Sequence, residues 1–266
     1  MIAPAVEIAN LSVVARGLTV LAIEHLKVAE GEFVAVMGPN GAGKSTLLRV
    51  CMGMQRRVRG NVAVLNESLD RMNALDLTRL RRSVGYVPQL LPSRSELPLT
   101  VREVVSIGRT GIAGLFRPLG RRDWHLIDEW LDRLGLSRLS ERPFHEISGG
   151  EQRKTVIARA MVQEPRLLLL DEPTANLDLG WRERIVETLD AIYQRTRLSV
   201  ILVCHELEAL PPCCKRVVLL DRGNVLAEGT PEKVLDEELV CRLYGPNLAV
   251  FHRGGRHAIF PGRSER

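Results

Sequence analysis

Residues Gly38-Pro39-Asn40-Gly41-Ala42-Gly43-Lys44-Ser45, followed by Thr46, constrain this chain more than any other segment. Their spacing is G-x-x-x-x-G-K-S/T, in which a glycine-rich backbone wraps closely around phosphate and turns its amides inward. The apolar run Phe33–Met37 just before it reads as a short buried strand, and a helix is expected to begin near Lys44. The N-terminus of that helix adds partial positive charge to the anion site. Lys44 supplies a full charge for the β- and γ-phosphates, and Ser45 can bind magnesium.

A second segment completes the chemistry. Leu167-Leu168-Leu169-Leu170 is an apolar run that ends in Asp171-Glu172. Asp171, at a strand end, can hold magnesium directly or through water, and Glu172 can accept a proton from an attacking water. Leu198–Val203 is another continuous apolar run, and such runs suit parallel strands covered on both faces. A phosphate loop followed by these carboxylates defines a nucleotide hydrolase on an α/β fold.

The rest of the chain limits the context. Its 266 residues fit one large domain or two small ones, and 45% hydrophobic residues supply a real core. Aromatics are 4%, so packing leans on Leu, Val, Ile and Ala. The formal charge of +5 is not gathered into a basic run, since Arg56-Arg57, Arg81-Arg82 and Arg121-Arg122 are scattered. Five cysteines without a C-x-x-C pair argue against a disulfide framework or zinc site. Cys204 reads as a small buried hydrophobe. No run of about 18 apolar residues could span a membrane, and no secretion signal is expected at the N-terminus.

Periodicity organises the chain into three parts. Val6–Val14 and Leu18–Val28 read as an edge hairpin before a turn at Gly31-Glu32. Between about residues 90 and 163 the pattern is helical, with Trp124, Ile127, Leu131 and Leu134 on one face. Pro92–Pro98 reads as an entry loop. Strands and helices then alternate again, with Ile185, Leu189 and Ile192 as a helix stripe. Val217–Leu220 and Val225–Ala227 are expected to form a hairpin. Thr230-Pro231 should cap one helix running through Leu243. Residues 244–266 read as a loose basic tail.

Ser148-Gly149-Gly150-Glu151 lies before a helix, about twenty residues ahead of Asp171. Here the chain resembles the ATP-binding-cassette (ABC) ATPases, whose signature is usually written LSGGQ. Ile147 opens the motif in this chain, and Glu151 stands at its fifth place. Further elements follow in the family's order: Tyr86-Val87-Pro88-Gln89 is similar to the Q-loop, Ala175-Asn176-Leu177-Asp178 to the D-loop, and His205 after Cys204 to the switch histidine. The resemblance covers about residues 5–243. It implies a RecA-like core, an N-terminal antiparallel β subdomain and an inserted helical subdomain at about 90–163.

The resemblance also implies a mechanism. Two copies pair head to tail with ATP between the phosphate loop of one and the signature of the other. Lys44, Ser45, Gln89, Asp171, Glu172 and His205 act in cis, with Mg2+ on Ser45, Gln89 and Asp171. Ser148, Gly149, Gly150 and Glu151 act in trans, and Asp178 belongs to the D-loop. Implied partners are membrane permease subunits and a substrate-binding protein, with no nucleic acid, at the cytoplasmic face of the membrane. The family's usual adenine-stacking aromatic is missing from Val13–Leu18, where Arg16 could stack instead.

For cargo, Leu97-Pro98-Leu99-Thr100-Val101-Arg102-Glu103-Val104-Val105, Gly108-Arg109 and Gly114-Leu115-Phe116-Arg117 are similar to zinc, manganese or iron importers. Importers of siderophore-iron, haem or cobalamin carry a related Thr-Val-Arg segment and Gly-Arg pair, and stay as the alternative. A soluble, non-transport ABC ATPase is the alternative of another class. DNA-repair members carry long coiled-coil insertions and translation members usually two cassettes, and this chain shows neither.

Overall fold

The computed structural model describes residues 4–55, 58–89, 99–114 and 117–262. The expected entry loop at 92–98 lies outside them. So do Arg56-Arg57 and, from the segment similar to metal importers, Leu97, Pro98, Leu115 and Phe116.

Strands β1 (Pro4–Ala15) and β2 (Leu18–Ala29) lead into β3 (Phe33–Met37) and helix α1 (Lys44–Cys51). Then come β4 (Val58–Val64), β5 (Glu67–Ser68), α2 (Ala74–Arg82) and β6 (Val84–Val87). Three helices follow: α3 (Val101–Ala113), α4 (Arg121–Arg133) and α5 (Gly149–Met161). The chain then alternates through β7 (Leu167–Asp171), α6 (Leu179–Thr196), β8 (Ser199–Cys204), β9 (Arg216–Asp221) and β10 (Asn224–Gly229). It closes with α7 (Pro231–Val234), α8 (Glu237–Tyr244), β11 (Leu248–Arg253) and β12 (Arg256–Pro261).

The expected hairpins form. β1 and β2 pair antiparallel, β4 adds to the other side of β1, and the sheet runs β2-β1-β4-β5. The second sheet runs β10-β9-β3-β8-β7-β6, parallel except for the β9–β10 hairpin.

Strand periodicity explains the layering. Phe33, Ala35 and Met37 of β3 face one core, and Val34 and Val36 face the other. Leu168 and Leu170 of β7 alternate with Leu167 and Leu169 in the same way, as do Val200 and Leu202 of β8 with Ile201 and Val203. Successive side chains of a strand point to opposite faces, so a continuous apolar run is the signature of a strand buried twice. One core lies against the N-terminal sheet and α1. The other receives α3, α4, α5 and the Ile185, Leu189 and Ile192 stripe of α6.

The helical layer is set by its caps. Thr100 and Glu103 form a capping box: Thr100 Oγ1 accepts from the Glu103 amide at 3.2 Å, and Glu103 Oε2 from the Thr100 amide at 2.7 Å. This gives the Thr-Val-Arg-Glu segment a local job. Buried Arg109 joins three elements, donating to Asp123 Oδ1 (2.8 Å), the Val162 carbonyl (2.9 Å) and Glu164 Oε2 (3.0 Å). Gly108 and Ile107 line a cleft of about 230 Å³ with Met52, Met54 and Arg159.

Three expectations need correction. Trp124 is exposed under the Arg102 guanidinium, 4.9 Å from its ring centroid, and Trp130 joins Ile127, Leu131 and Leu134 in the core. The single helix expected from Pro231 to Leu243 breaks into α7 and α8. Asp236 starts the second by accepting from the Leu239 amide at 2.8 Å, while Thr230 makes no side-chain cap bond. Residues 248–261 are no loose tail but the β11–β12 hairpin, anchored by an Arg256–Glu183 ion pair and a 3.2 Å bond from the Ile259 amide to Glu208. The five cysteines are free, and Cys204 is buried.

Candidate functional site

Four parallel strands end at one rim of the main sheet. β3 runs into the phosphate loop, β6 into Pro88 and Gln89, β7 into Asp171 and Glu172, and β8 into His205. The strand order β3-β8-β7-β6 therefore gathers groups that lie far apart in sequence. The carboxyl edge of an open parallel sheet is where such folds bind ligands.

The phosphate loop is preformed. Gly38 adopts φ 148°, where a Cβ would stand 2.1 Å from the Leu220 carbonyl oxygen, so only glycine fits. Lys44 Nζ donates to the carbonyls of Gly38 (2.8 Å) and Pro39 (3.0 Å) and lies 4.0 Å from Glu172 Oε1. Val20, Asn40, Gly41, Gly43, Lys44, Ser45, Thr46, Gln89 and Glu172 line a cavity of about 330 Å³. Pro39 and Ala42 face an adjoining hollow with Arg222 and Arg242.

The two carboxylates are held differently. Ser45 Oγ donates to Asp171 Oδ1 at 3.0 Å, and Tyr86 Oη to Oδ2 at 3.3 Å. Gln89 Nε2 donates to Glu172 Oε2 at 2.7 Å, while His205 Nδ1 lies 3.1 Å from Glu172 Oε1. That Nδ1 is buried and off the angle of a hydrogen bond, so it has no hydrogen-bond partner among the described residues. Glu172 sits at φ 46°, and its amide donates to the Val203 carbonyl at 2.9 Å. A left-handed backbone at a glutamate costs about 1–3 kcal/mol and persists where the surroundings over-determine it, as at reactive sites.

Burial sets the electrostatics. It lowers the Lys44 pKa, and the Glu172 charge works against that shift. It raises the Asp171 pKa, against the hydrogen bonds from Ser45 and Tyr86. The Tyr86 phenol is pushed up to about 12 by burial and by the Asp171 charge. Ser45, Asp171 and Gln89 thus offer hydroxyl, carboxylate and amide oxygens at one place, the donor set a hard divalent cation takes.

The remaining motif residues stand apart from this cluster. Ser148 N-caps α5 in a capping box, its amide and hydroxyl donating to Glu151 Oε2 at 2.8 Å and 2.6 Å. Ser148 and Gly149 are exposed, and their hydrogen bonds are local. Asp178 Oδ1 caps α6 through the Trp181 amide at 2.9 Å. Trp181, which no periodicity singles out, lies flush on Gly150, where a Cβ would sit 1.9 Å from its ring. The tip residue Arg16 is exposed, and it is Val20 that borders the cavity. Phe33, the first aromatic, is packed edge-on against Tyr193 in the core.

A phosphate loop and two strand-end carboxylates on one rim of a parallel sheet, with a second glycine-rich helix start at α5, make this a P-loop nucleotide hydrolase. The ABC transporter family matches residues 22–175, and the chain belongs to that family. It is an ATP-binding ATPase subunit of that type. The zinc transport system ATP-binding protein TroB of Treponema pallidum is 33% identical over 262 residues, covering 98% of this chain and 95% of that protein. The hemin import ATP-binding protein HmuV of Nocardia farcinica is 39% identical over 239 residues, covering 89% and 80%. A dimeric ATP-binding cassette in a post-hydrolysis state, bound to ADP and Pi, matches with a TM-score of 0.72 at 28% identity, covering 85% of this chain and 98% of that one. Among the described residues no helix is long and apolar enough to cross a membrane.

Proposed function

We propose that this chain drives uptake of a transition-metal ion, zinc, manganese or iron, by hydrolysing ATP beneath a separate membrane permease. The observation that carries the ATPase reading is the contact network joining Lys44, Gln89 and His205 to Glu172. Glu172 takes the proton of the attacking water, Gln89 and His205 orient the reacting groups, and Gly38 through Thr46 cradle the phosphates. Ser45, Gln89 and Asp171 hold Mg2+, which supplies charge neutralisation at the phosphates when bound. Two copies act together, and Ser148, Gly149, Gly150 and Glu151 of each meet the ATP held by the other. Asp178 lies in the loop between them. The cassette comprises residues 5–243, with residues 244–266 as an appendage. Permease subunits and a substrate-binding protein complete the complex at the cytoplasmic face of the membrane.

Metal-ion cargo is supported by near full-length similarity to a zinc-system ATPase. Import of iron as haem or another chelate is the second reading, favoured by the 39% identity to a hemin-import ATPase. Cellular metal content separates the two in a host whose only copy carries Lys44→Ala. Loss of zinc or manganese is expected. Loss of iron only when it is supplied as haem or a chelate supports the second reading, and unchanged metals in every medium overturn both.

Nucleotide choice provides another test. Val20 cannot supply the π-face of an aromatic, whose ring contacts contribute about 0.5–1.5 kcal/mol beyond area burial. ATP and GTP are therefore expected to be hydrolysed with kcat/KM values within about tenfold of each other. A preference of a thousandfold for ATP would show that another group recognises the base.

A further inference from the structure

Arg153 carries a buried charge whose placement the motifs do not explain. It lies in the second turn of α5, five residues beyond Ser148, and is 2% exposed. Its two terminal nitrogens donate to consecutive main-chain carbonyls, Pro88 at 2.6 Å and Gln89 at 2.9 Å. Its Nε is buried and has no hydrogen-bond partner among the described residues. Burial lowers its pKa, and the Asp171 charge, acting at longer range than an ion pair, works against that shift.

A buried guanidinium kept only for stability ordinarily faces a carboxylate, because an uncompensated buried charge is costly. Here the planar fork grips two adjacent peptide groups just beyond β6. That grip fixes the backbone from which the Gln89 side chain leaves for Glu172 Oε2, 2.7 Å away. One unbroken line of contacts thus runs from the signature helix through Arg153, the two carbonyls and Gln89 to the carboxylate. We infer that Arg153 is a positioning residue that ties the signature helix to Glu172, so that engagement of Ser148 by a second copy's nucleotide sets where Gln89 holds the base. A lysine cannot reproduce this grip, since it offers a point charge in place of a two-pronged fork.

The inference rests on Gln89 and Glu172 having the roles proposed above, and the test separates the two. Steady-state ATP hydrolysis by the full chain is compared for wild type, Arg153→Lys, Arg153→Met, Gln89→Ala and Arg153→Met with Gln89→Ala. Arg153→Lys is expected to lower kcat about tenfold while KM for ATP moves less than about threefold, the mark of a group that acts in turnover and not in binding. The double variant is expected to be no slower than Gln89→Ala alone, because residues acting through one another are not additive. If Arg153→Met does not fold, the cycle is run with Arg153→Lys, which keeps charge and stem. Multiplying losses in a slow Gln89→Ala background overturn the positioning role alone. Wild-type kcat in Arg153→Lys does the same. Wild-type turnover in Gln89→Ala overturns both the site reading and this inference.

Discussion

Glu172→Gln is expected to bind ATP as the wild type does and to hydrolyse it at least about 100-fold more slowly, the usual contribution of a positioned general base. The substitution is isosteric, so the left-handed backbone at φ 46° and the 2.9 Å bond from its amide to Val203 remain. What disappears is the negative charge. Oε1 then no longer attracts Lys44 at 4.0 Å, so the ammonium stays free for phosphate and affinity does not fall. Oε2 accepts from Gln89, which leaves Oε1, beside His205, as the oxygen to take a proton. An amide cannot take it. Phosphate release and equilibrium binding of a fluorescent ATP analogue measure the two halves of the expectation. Undiminished turnover assigns the base to another group.

Gly150→Ala is expected to cost about 10- to 100-fold in kcat, because displacements near 1 Å in a catalytic arrangement have effects of that size. The added methyl would stand 1.9, 2.1 and 2.5 Å from Trp181 Cδ2, Cε3 and Cγ. The indole has little room to yield. The Trp181 backbone is pinned by Asp178 at 2.9 Å, and the ring lies under the Arg184 guanidinium, 4.9 Å away. The first turn of α5 must move instead, carrying Ser148 with it. Overpacking of this kind also destabilises by about 1–3 kcal/mol. Trp181→Leu added to Gly150→Ala should restore most of the rate by making room. A Gly150→Ala protein with wild-type turnover, or one not improved by Trp181→Leu, refutes the steric account.

Much of the site was legible because its chemistry is written locally. The phosphate loop needs glycine at spaced special positions, Gly38, Gly41 and Gly43, and a lysine at the helix start, so Gly38 to Ser45 announce themselves. The runs Phe33–Met37, Leu167–Leu170 and Leu198–Val203 announce strands buried on two faces, and each forms one in the main sheet. The resemblance at Ser148–Glu151, Gln89 and His205 narrowed the family correctly. Trp124 misled because helical spacing gives a face but not its width, and Trp130, about 120° round the helix, fills the core from the opposite edge of the stripe. The tail misled because hairpin formation over α6 depends on Glu183 and Glu208, partners about fifty to seventy residues away.

The sequence by itself determined the phosphate loop, the buried strands, the carboxylate pair and the family, since each depends on residues adjacent in the chain or on a fixed period. Only the tertiary structure decided the rest. Strand order β3-β8-β7-β6 brings Lys44, Gln89, Glu172 and His205 into contact across up to 161 residues, as the 205 and 44 positions show. The same packing seats Trp181 on Gly150 and Arg153 beneath Pro88 and Gln89. Periodicity tells which side of an element is buried. It cannot tell which distant element comes to cover that side, because that is settled by the spatial order of the strands in the sheet and by the shapes that fit there.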